Sequence, residues 1–243
     1  VGGDVEDSAE EEEMIAKMCG VAGVVFAACV SIAGVNYNEA TGGDISDDGF
    51  NPLALVLGPG SNVVRGKFGP SGVEEVPDLD YVSVTVAEGW RLSRMNVVEA
   101  DVGGAVSFIA VQGGAVFTEP YTTRDPSSLL GWSHFGTTSV GLDLLPEMGL
   151  GGGAIGFAPP LGAGVYTFWI MELDMAFEHS YGFDFVVTRC LANVNGDEAV
   201  DFGDFLAFFN CYDTEQSCAD VDGNPGVDFG DFLAFFNGYD AGC

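Results

Sequence analysis

From Val35 to Thr188 the apolar residues arrive in short runs, alternating with polar ones and broken by Gly, Pro, Asn and Asp. In YVSVTVAEG (Tyr81–Gly89), Val82, Val84 and Val86 alternate with Tyr81, Ser83 and Thr85. A period of two sends alternate side chains to opposite faces, so this stretch predicts a half-buried strand that ends in a turn. AVSFIAVQGG (Ala105–Gly114), GAIGFAPPLGAGVYTFWIMEL (Gly153–Leu173) and YGFDFVVTR (Tyr181–Arg189) read as further strands. No segment of this region holds a long helical period. Several strands at short spacing predict a mainly β fold for residues 34–188, an antiparallel β-sandwich of jelly-roll-like type.

The pattern changes in residues 190–243. The stretch VDFGDFLAFFN is written twice, at Val200–Asn210 and Val227–Asn237. FLAFFNCYD and FLAFFNGYD read as helices, each with a Phe/Leu face. One such unit cannot bury that face alone, but two related by a pseudo-twofold can. Phe205, Leu206, Phe208 and Phe209 are therefore expected to pack against Phe232, Leu233, Phe235 and Phe236.

Upstream of each helix the oxygen-bearing side chains keep a fixed spacing. NVNGDEAVDFGD (Asn193–Asp204) and DVDGNPGVDFGD (Asp220–Asp231) place them at positions 1, 3, 5, 9 and 12, the spacing of an EF-hand-type calcium loop. A chain wrapping a cation points alternate side chains inward, adds a backbone carbonyl at position 7, and closes the shell from the following helix. The candidate ligands of the first loop are Asn193, Asn195, Asp197, the Ala199 carbonyl, Asp201 and Asp204. Those of the second are Asp220, Asp222, Asn224, the Gly226 carbonyl, Asp228 and Asp231. Two Ca2+ sites are expected. Position 6, usually Gly, holds Glu198 and Pro225. Proline cannot adopt a positive φ, so the second loop must turn elsewhere, with Gly226 the candidate. Asn193 in place of Asp removes one charge. Both sites are expected to bind more weakly than an ideal loop.

Residues 1–33 read as an upstream segment and a signal peptide. MIAKMCGVAGVVFAACVSIAG (Met14–Gly34) offers Lys17, an apolar run over Met18–Val30, and small residues that place cleavage after Ala33. The acidic stretch before Met14 has the wrong sign for a leader, so Met14 or Met18 is the expected start. An uncleaved anchor, a buried helix or a lipoprotein site at Cys29 are the competing readings. With Cys19 and Cys29 removed, four cysteines remain: Cys190, Cys211, Cys218 and Cys243. An even set confined to one small unit of an exported chain reads as disulfides, and the spacings do not suit zinc. Three pairings are open. Cys190–Cys243 would tie the ends together and Cys211–Cys218 would close the loop between repeats, and that pairing is the expectation.

Composition narrows the partners. The chain has 243 residues, only 7 Lys and Arg, and a formal net charge of −30. Phosphate backbones and anionic membrane surfaces need a basic patch, so nucleic acid is an unsuitable partner and no membrane insertion is expected after leader cleavage. The 36 glycines, about twice the ordinary share, favour turns over long helices. No catalytic motif stands out. GWSHFG, around Ser133 and His134, is not a nucleophile turn. LGPGSN and GLGGGAIG lack the Lys-Ser/Thr of a phosphate loop. His134 and His179 have no His or Cys at metal spacing. Asp44, Asp47 and Asp48 with Asn51 could hold one calcium ion, but a solvated acidic loop is the better reading.

Two resemblances follow. DLDYVSVTVAEGWRLSRMNV (Asp78–Val97), GAGVYTFWI (Gly162–Ile170) and SYGFDFVVT (Ser180–Thr188) resemble the bacterial pre-peptidase C-terminal type of β-sandwich over about Asp44–Thr188. That family implies an accessory domain used for surface or substrate attachment. The duplicated loop–helix unit, Asp at position 12, and the closing AGC (Ala241–Cys243) resemble a type I dockerin of the Gly-Cys-ending, planctomycete type. That resemblance implies calcium-dependent folding and docking onto a cohesin-like or other surface protein. Phe202-Gly203 and Phe229-Gly230 stand where dockerins often carry recognition residues, which leaves the partner open. The expected function is a secreted or cell-surface, non-catalytic β-sandwich protein held by this anchor. The alternative is a carbohydrate-binding or polysaccharide-degrading protein with the same anchor, with Trp90, Trp132 and Trp169 as stacking candidates.

Overall fold

The computed structural model describes residues 34–70, 77–101, 107–123, 125–172, 177–197, 199–222, 224 and 226–241. The expected leader, Glu198, Pro225 and Cys243 lie outside the described residues, and so therefore does the expected Cys190–Cys243 bridge. Chain order is β1 (Asn36–Asn38), α1 (Glu39–Gly42), β2 (Leu53–Val56), β3 (Val63–Pro70), β4 (Pro77–Val86), β5 (Trp90–Asp101), β6 (Ser107–Gly113), β7 (Gly131–Phe135), α2 (Leu145–Gly149), β8 (Gly164–Met171), β9 (His179–Arg189), α3 (Phe202–Asp213) and α4 (Phe229–Ala241).

The strands form a mainly antiparallel, sandwich-like fold. One layer runs β1-β3-β9-β5 and the other β2-β4-β8-β6-β7. They join where β3 turns into β4, through Gly69↔Asp78 and Pro70↔Pro77. Two short edge pairs, β1 with β3 and β2 with β4, are parallel, which the alternation pattern did not reveal. Alternation records which face a side chain takes, not the direction of its neighbour.

Both layers turn an apolar face toward one shared core. Val82, Val84, Phe168, Ile170, Ile109 and Val111 of the five-stranded layer meet Val64, Leu92, Met95, Phe183 and Phe185 of the other. Aromatic rings bridge the layers edge-on: Phe168 to Phe185 at 5.1 Å and Phe135 to Phe183 at 5.0 Å between centroids.

The predicted half-buried strand at Tyr81–Val86 is covered on its second face as well. Tyr81 and Ser83 are buried opposite Val82 and Val84. The segment leading into β2 closes over them: Ser46 O accepts from Tyr81 N, and Gly49 O accepts from Phe117 N. Phe117, Tyr81 and Trp169 then form a second, smaller apolar cluster on the outer face. The long stretch Gly153–Leu173 contributes a strand only at Gly164–Met171.

The GP-rich turn before β3 is organised by one buried side chain. Asn62 Oδ1 accepts from Val35 N and Gly58 N, while its Nδ2 donates to the carbonyls of Gly58, Gly60 and Phe185. LGPGSN thus divides its backbone groups between its own asparagine and β9, with Gly60 N donating to Val187 O and Asn62 N to Phe185 O.

α3 and α4 pack as near-copies. Phe208 and Phe235 stack face to face at 4.1 Å and 3°. Phe205, Phe209, Phe232 and Phe236 close around them. Leu206 and Leu233 depart from expectation: they are 48% and 47% exposed. At 3.6 residues per turn, 205, 208, 209 and 212 share a face, and 206 falls outside it.

Phe183→Ala is expected to destabilise the chain by about 3–5 kcal/mol, because it opens a cavity between the layers. Leu206→Ala is expected to cost less than about 1 kcal/mol, since an exposed side chain loses little on truncation. Urea titration of both variants checks the contrast.

Candidate functional site

The two C-terminal loops are closed by their last residues. Asp204 is fully buried; its Oδ1 accepts from Asn195 N at 3.0 Å and its Oδ2 from Asp201 N at 3.0 Å. Asp231 does the same, taking Val221 N, Asp222 N and Asp228 N at 2.8, 3.1 and 2.8 Å. Burial pushes the Asp231 carboxyl up, but the N–H groups of Asp228, Asp222 and Val221 outweigh it and hold the pKa below its usual range. Each position-12 aspartate thus ties the start of its loop to the start of its helix.

The other candidate ligands lie along each loop. Asn193 Oδ1 accepts from Gly196 N, Asn195 Oδ1 from Asp197 N, and Asp197 Oδ1 from Ala199 N. In the second loop Asp222 Oδ1 accepts from Asn224 N. Asp201 and Asp228 cap their helices, each with Oδ1 at 2.6 Å from the N–H two residues on, at Gly203 and Gly230. Gly226 has φ +97°, the left-handed turn that the second loop requires. Asp220, Asp222 and Asp231 bring carboxylate oxygens within 4.8 Å of one another. Asp220 Oδ1 is buried with no hydrogen-bond partner. An all-oxygen donor set with an orphaned buried oxygen fits a hard cation such as calcium.

The glycines at position 11, Gly203 and Gly230, are explained by the geometry. A Cβ on Gly230 would stand 2.7 Å from Asp222 Oδ2 and 2.9 Å from Asp228 Oδ1. On Gly203 it would meet Asp201 Oδ1 at 2.9 Å. The loop side chains lie directly over this backbone. Between the repeats, Cys211 and Cys218 form a disulfide with Cα atoms 5.7 Å apart.

A second carboxylate group assembles at the end of the sheets. Asp47 adjoins this group through Asp78, but Asp44 finds its partners outside the predicted Asp47, Asp48 and Asn51 set. Asp44 joins Glu39 and Asp78, with oxygens within 4.8 Å. Asp47 Oδ1 instead accepts from Leu79 N, and Asp48 Oδ1 from Phe50 N. Burial, then Asp44, pushes Glu39 up to about 7. Burial, then Asp47 and Asp44, pushes Asp78 up to about 7. Asp80 is fully buried beside Tyr181, and burial pushes its pKa well above the usual range. Glu39, Asp44 and Asp78 are a further oxygen set able to hold a cation.

The three tryptophans do not form a row. Trp132 and Trp169 line one cavity of about 330 Å³ with Phe108, Tyr121, Glu119 and Asp125. Trp90 lines a separate crevice of about 260 Å³ with Cys190, Asn193 and Asp197. Ser133 and His134 point to opposite faces of β7, and Ser133 Oγ donates to the His134 carbonyl. His134 Nδ1 lies 3.3 Å from Ser107 O, and His179 Nδ1 lies 3.1 Å from Asp101 O.

No protein-family model matches the chain, and no curated protein matches it. Among solved structures it is similar to the pre-peptidase C-terminal domain of a collagenase from Bacillus anthracis, with 10% identity and a TM-score of 0.34. The match covers 57% of this chain and 98% of that one.

Two outcomes are expected. Groups whose folded pKa is raised hold protons that the unfolded chain has already lost, so their stabilising contribution fades as pH rises. For Glu39 and Asp78 that window runs from about pH 4 to about pH 7. Urea midpoints measured in EDTA should fall from pH 5 to pH 8, and Glu39→Gln should flatten the fall. Gly230→Ala should distort the second loop while leaving the sheets intact, read by loss of the loop's amide protection in hydrogen exchange.

Proposed function

We propose that the chain is a secreted or cell-surface, non-catalytic β-sandwich protein. Its residues 190–243 act as a dockerin-like anchor that folds around two Ca2+ ions and binds a cohesin-like or other surface protein. The observation that carries this reading is the duplicated closure of the loops by buried Asp204 and Asp231, with Asp220 Oδ1 left orphaned. The closing carboxylates are met by backbone N–H groups, but the buried Asp220 Oδ1 is met by none, and such an oxygen is costly unless a cation reaches it. Calcium would supply that charge, and the loops would in turn order the helices that follow them.

The docking face follows from what the helices leave outside. Phe202 and Phe229 are 64% and 65% exposed at equivalent positions, beside exposed Leu206 and Leu233. Four large apolar side chains outside the shared core suit a protein partner. The Cys211–Cys218 bridge and the leader pattern of residues 1–33 support an oxidising, extracytoplasmic setting.

Calorimetric titration of the full chain with calcium, followed by far-UV circular dichroism, tests this. Two binding events and a loss of helix in EDTA are expected. Asp204→Asn and Asp231→Asn should each weaken one event by at least about tenfold, about 1.4 kcal/mol. No binding, with helix content unchanged by EDTA, would sink the reading.

A further inference from the structure

The outer face of the five-stranded layer carries a cavity that the calcium loops do not explain. Strand register builds its floor. Ala110 of β6 pairs with Trp132 of β7 on one side and Trp169 of β8 on the other. A methyl side chain between two indoles leaves a dip. Phe108, two residues along the same face, stacks on Trp132 with centroids 5.8 Å apart and planes at 28°. Trp132 is held in place, because its Nε1 donates to Gly152 O at 3.0 Å. The floor is therefore a fixed aromatic platform, and Phe108 and Trp132 keep part of their surface open.

The connection between β6 and β7 supplies the polar wall, with Glu119, Tyr121 and Asp125. Both carboxylates are positioned by their own turn. Thr123 and Ser128 hydroxyls donate to Glu119, and Ser127 N donates to Asp125 Oδ1 at 3.0 Å. The same N–H holds the Asp125 carboxyl below its usual range, so it is an ionised acceptor.

These features select a ligand. A purely apolar molecule would strip water from Glu119 and Asp125 and return no donor. An anion would face the carboxylates of Glu119, Asp125 and Glu172. The site wants one apolar face to lie on the rings and several hydroxyls around it, some donating to the carboxylates. A pyranose ring has that division between its C–H face and its hydroxyl rim. The cavity, about 330 Å³, lies at the lower end of the range of about 300–1,000 Å³ usual for small-molecule sites.

We propose that this cavity binds a neutral pyranose sugar, stacked on Trp132 and Phe108, with hydroxyls donating to Glu119 and Asp125. The site is built wholly from the sheets and their connections, so it acts whether or not the C-terminal loops hold calcium.

The test uses the full chain and neutral disaccharides built from glucose, galactose, mannose and N-acetylglucosamine, with tetramethylammonium chloride as the competing chemistry. Binding is followed by tryptophan fluorescence and calorimetry, once in calcium and once in EDTA. Saturable binding of at least one sugar, unchanged by EDTA, is expected. Glu119→Gln and Trp132→Ala should weaken it by about tenfold or more, Trp132→Phe should retain most of it, and Trp90→Phe should leave it unchanged. Near-UV circular dichroism confirms that each variant is folded. Three results overturn the proposal: no sugar binding by the wild-type chain, binding indifferent to Glu119→Gln and Trp132→Ala, or a preference for tetramethylammonium over every sugar.

Discussion

Everything in the β region depends on one shared interior. Two sheets each bury a face, and aromatic rings from β7, β8 and β9 meet edge-on in the gap. That burial fixes which parity of each strand points inward, and so leaves the other parity for other uses. Val82, Val84 and Val86 take the inner positions on β4, and Phe168 and Ile170 take them on β8. Tyr81, Trp169, Phe108 and Trp132 are then committed to the outer face, where loops half-cover them. The outer aromatic cavity is a consequence of the core's register.

The C-terminal pair answers to a different constraint. Each loop is too polar to fold on apolar burial and each helix too short to be stable alone. The Phe208–Phe235 stack lets each unit bury the other's face. Asp204 and Asp231 then convert helix position into loop shape by gripping backbone N–H groups at both loop ends. Charge and packing are coupled here: anything that satisfies the loop oxygens also steadies the helix starts.

Some chemistry could not have been found along the chain. Glu39, Asp44 and Asp78 belong to α1, the segment after it and β4, and meet only because β4 crosses next to that segment. Asp47 and Asp48, close to Asp44 in sequence, each give one oxygen to a backbone N–H, at Leu79 and Phe50, and Asp47 also adjoins Asp78. Trp132 and Trp169 come together through β6, a strand that carries neither. Asn62 reads as one more loop asparagine, yet it is the buried hub of its turn. Gly203 and Gly230 stand at positions where dockerins often carry recognition residues, and only the fold shows the loop side chains lying over them.

The sequence by itself determined what is local and periodic. Alternation marked the strands at Tyr81–Val86 and Tyr181–Arg189, the repeat marked the two loop–helix units, and oxygen spacing marked Asp204 and Asp231 as closing residues. These are legible because backbone geometry imposes a period of two on strands and 3.6 on helices. The tertiary structure decided what depends on strangers in sequence becoming neighbours. It set the parallel edge pairs, the double-sided burial of β4, the exposure of Leu206 and Leu233, and the membership of both carboxylate and aromatic clusters. The physical reason is that a period says which way a side chain points, while only the folded chain says what it meets there.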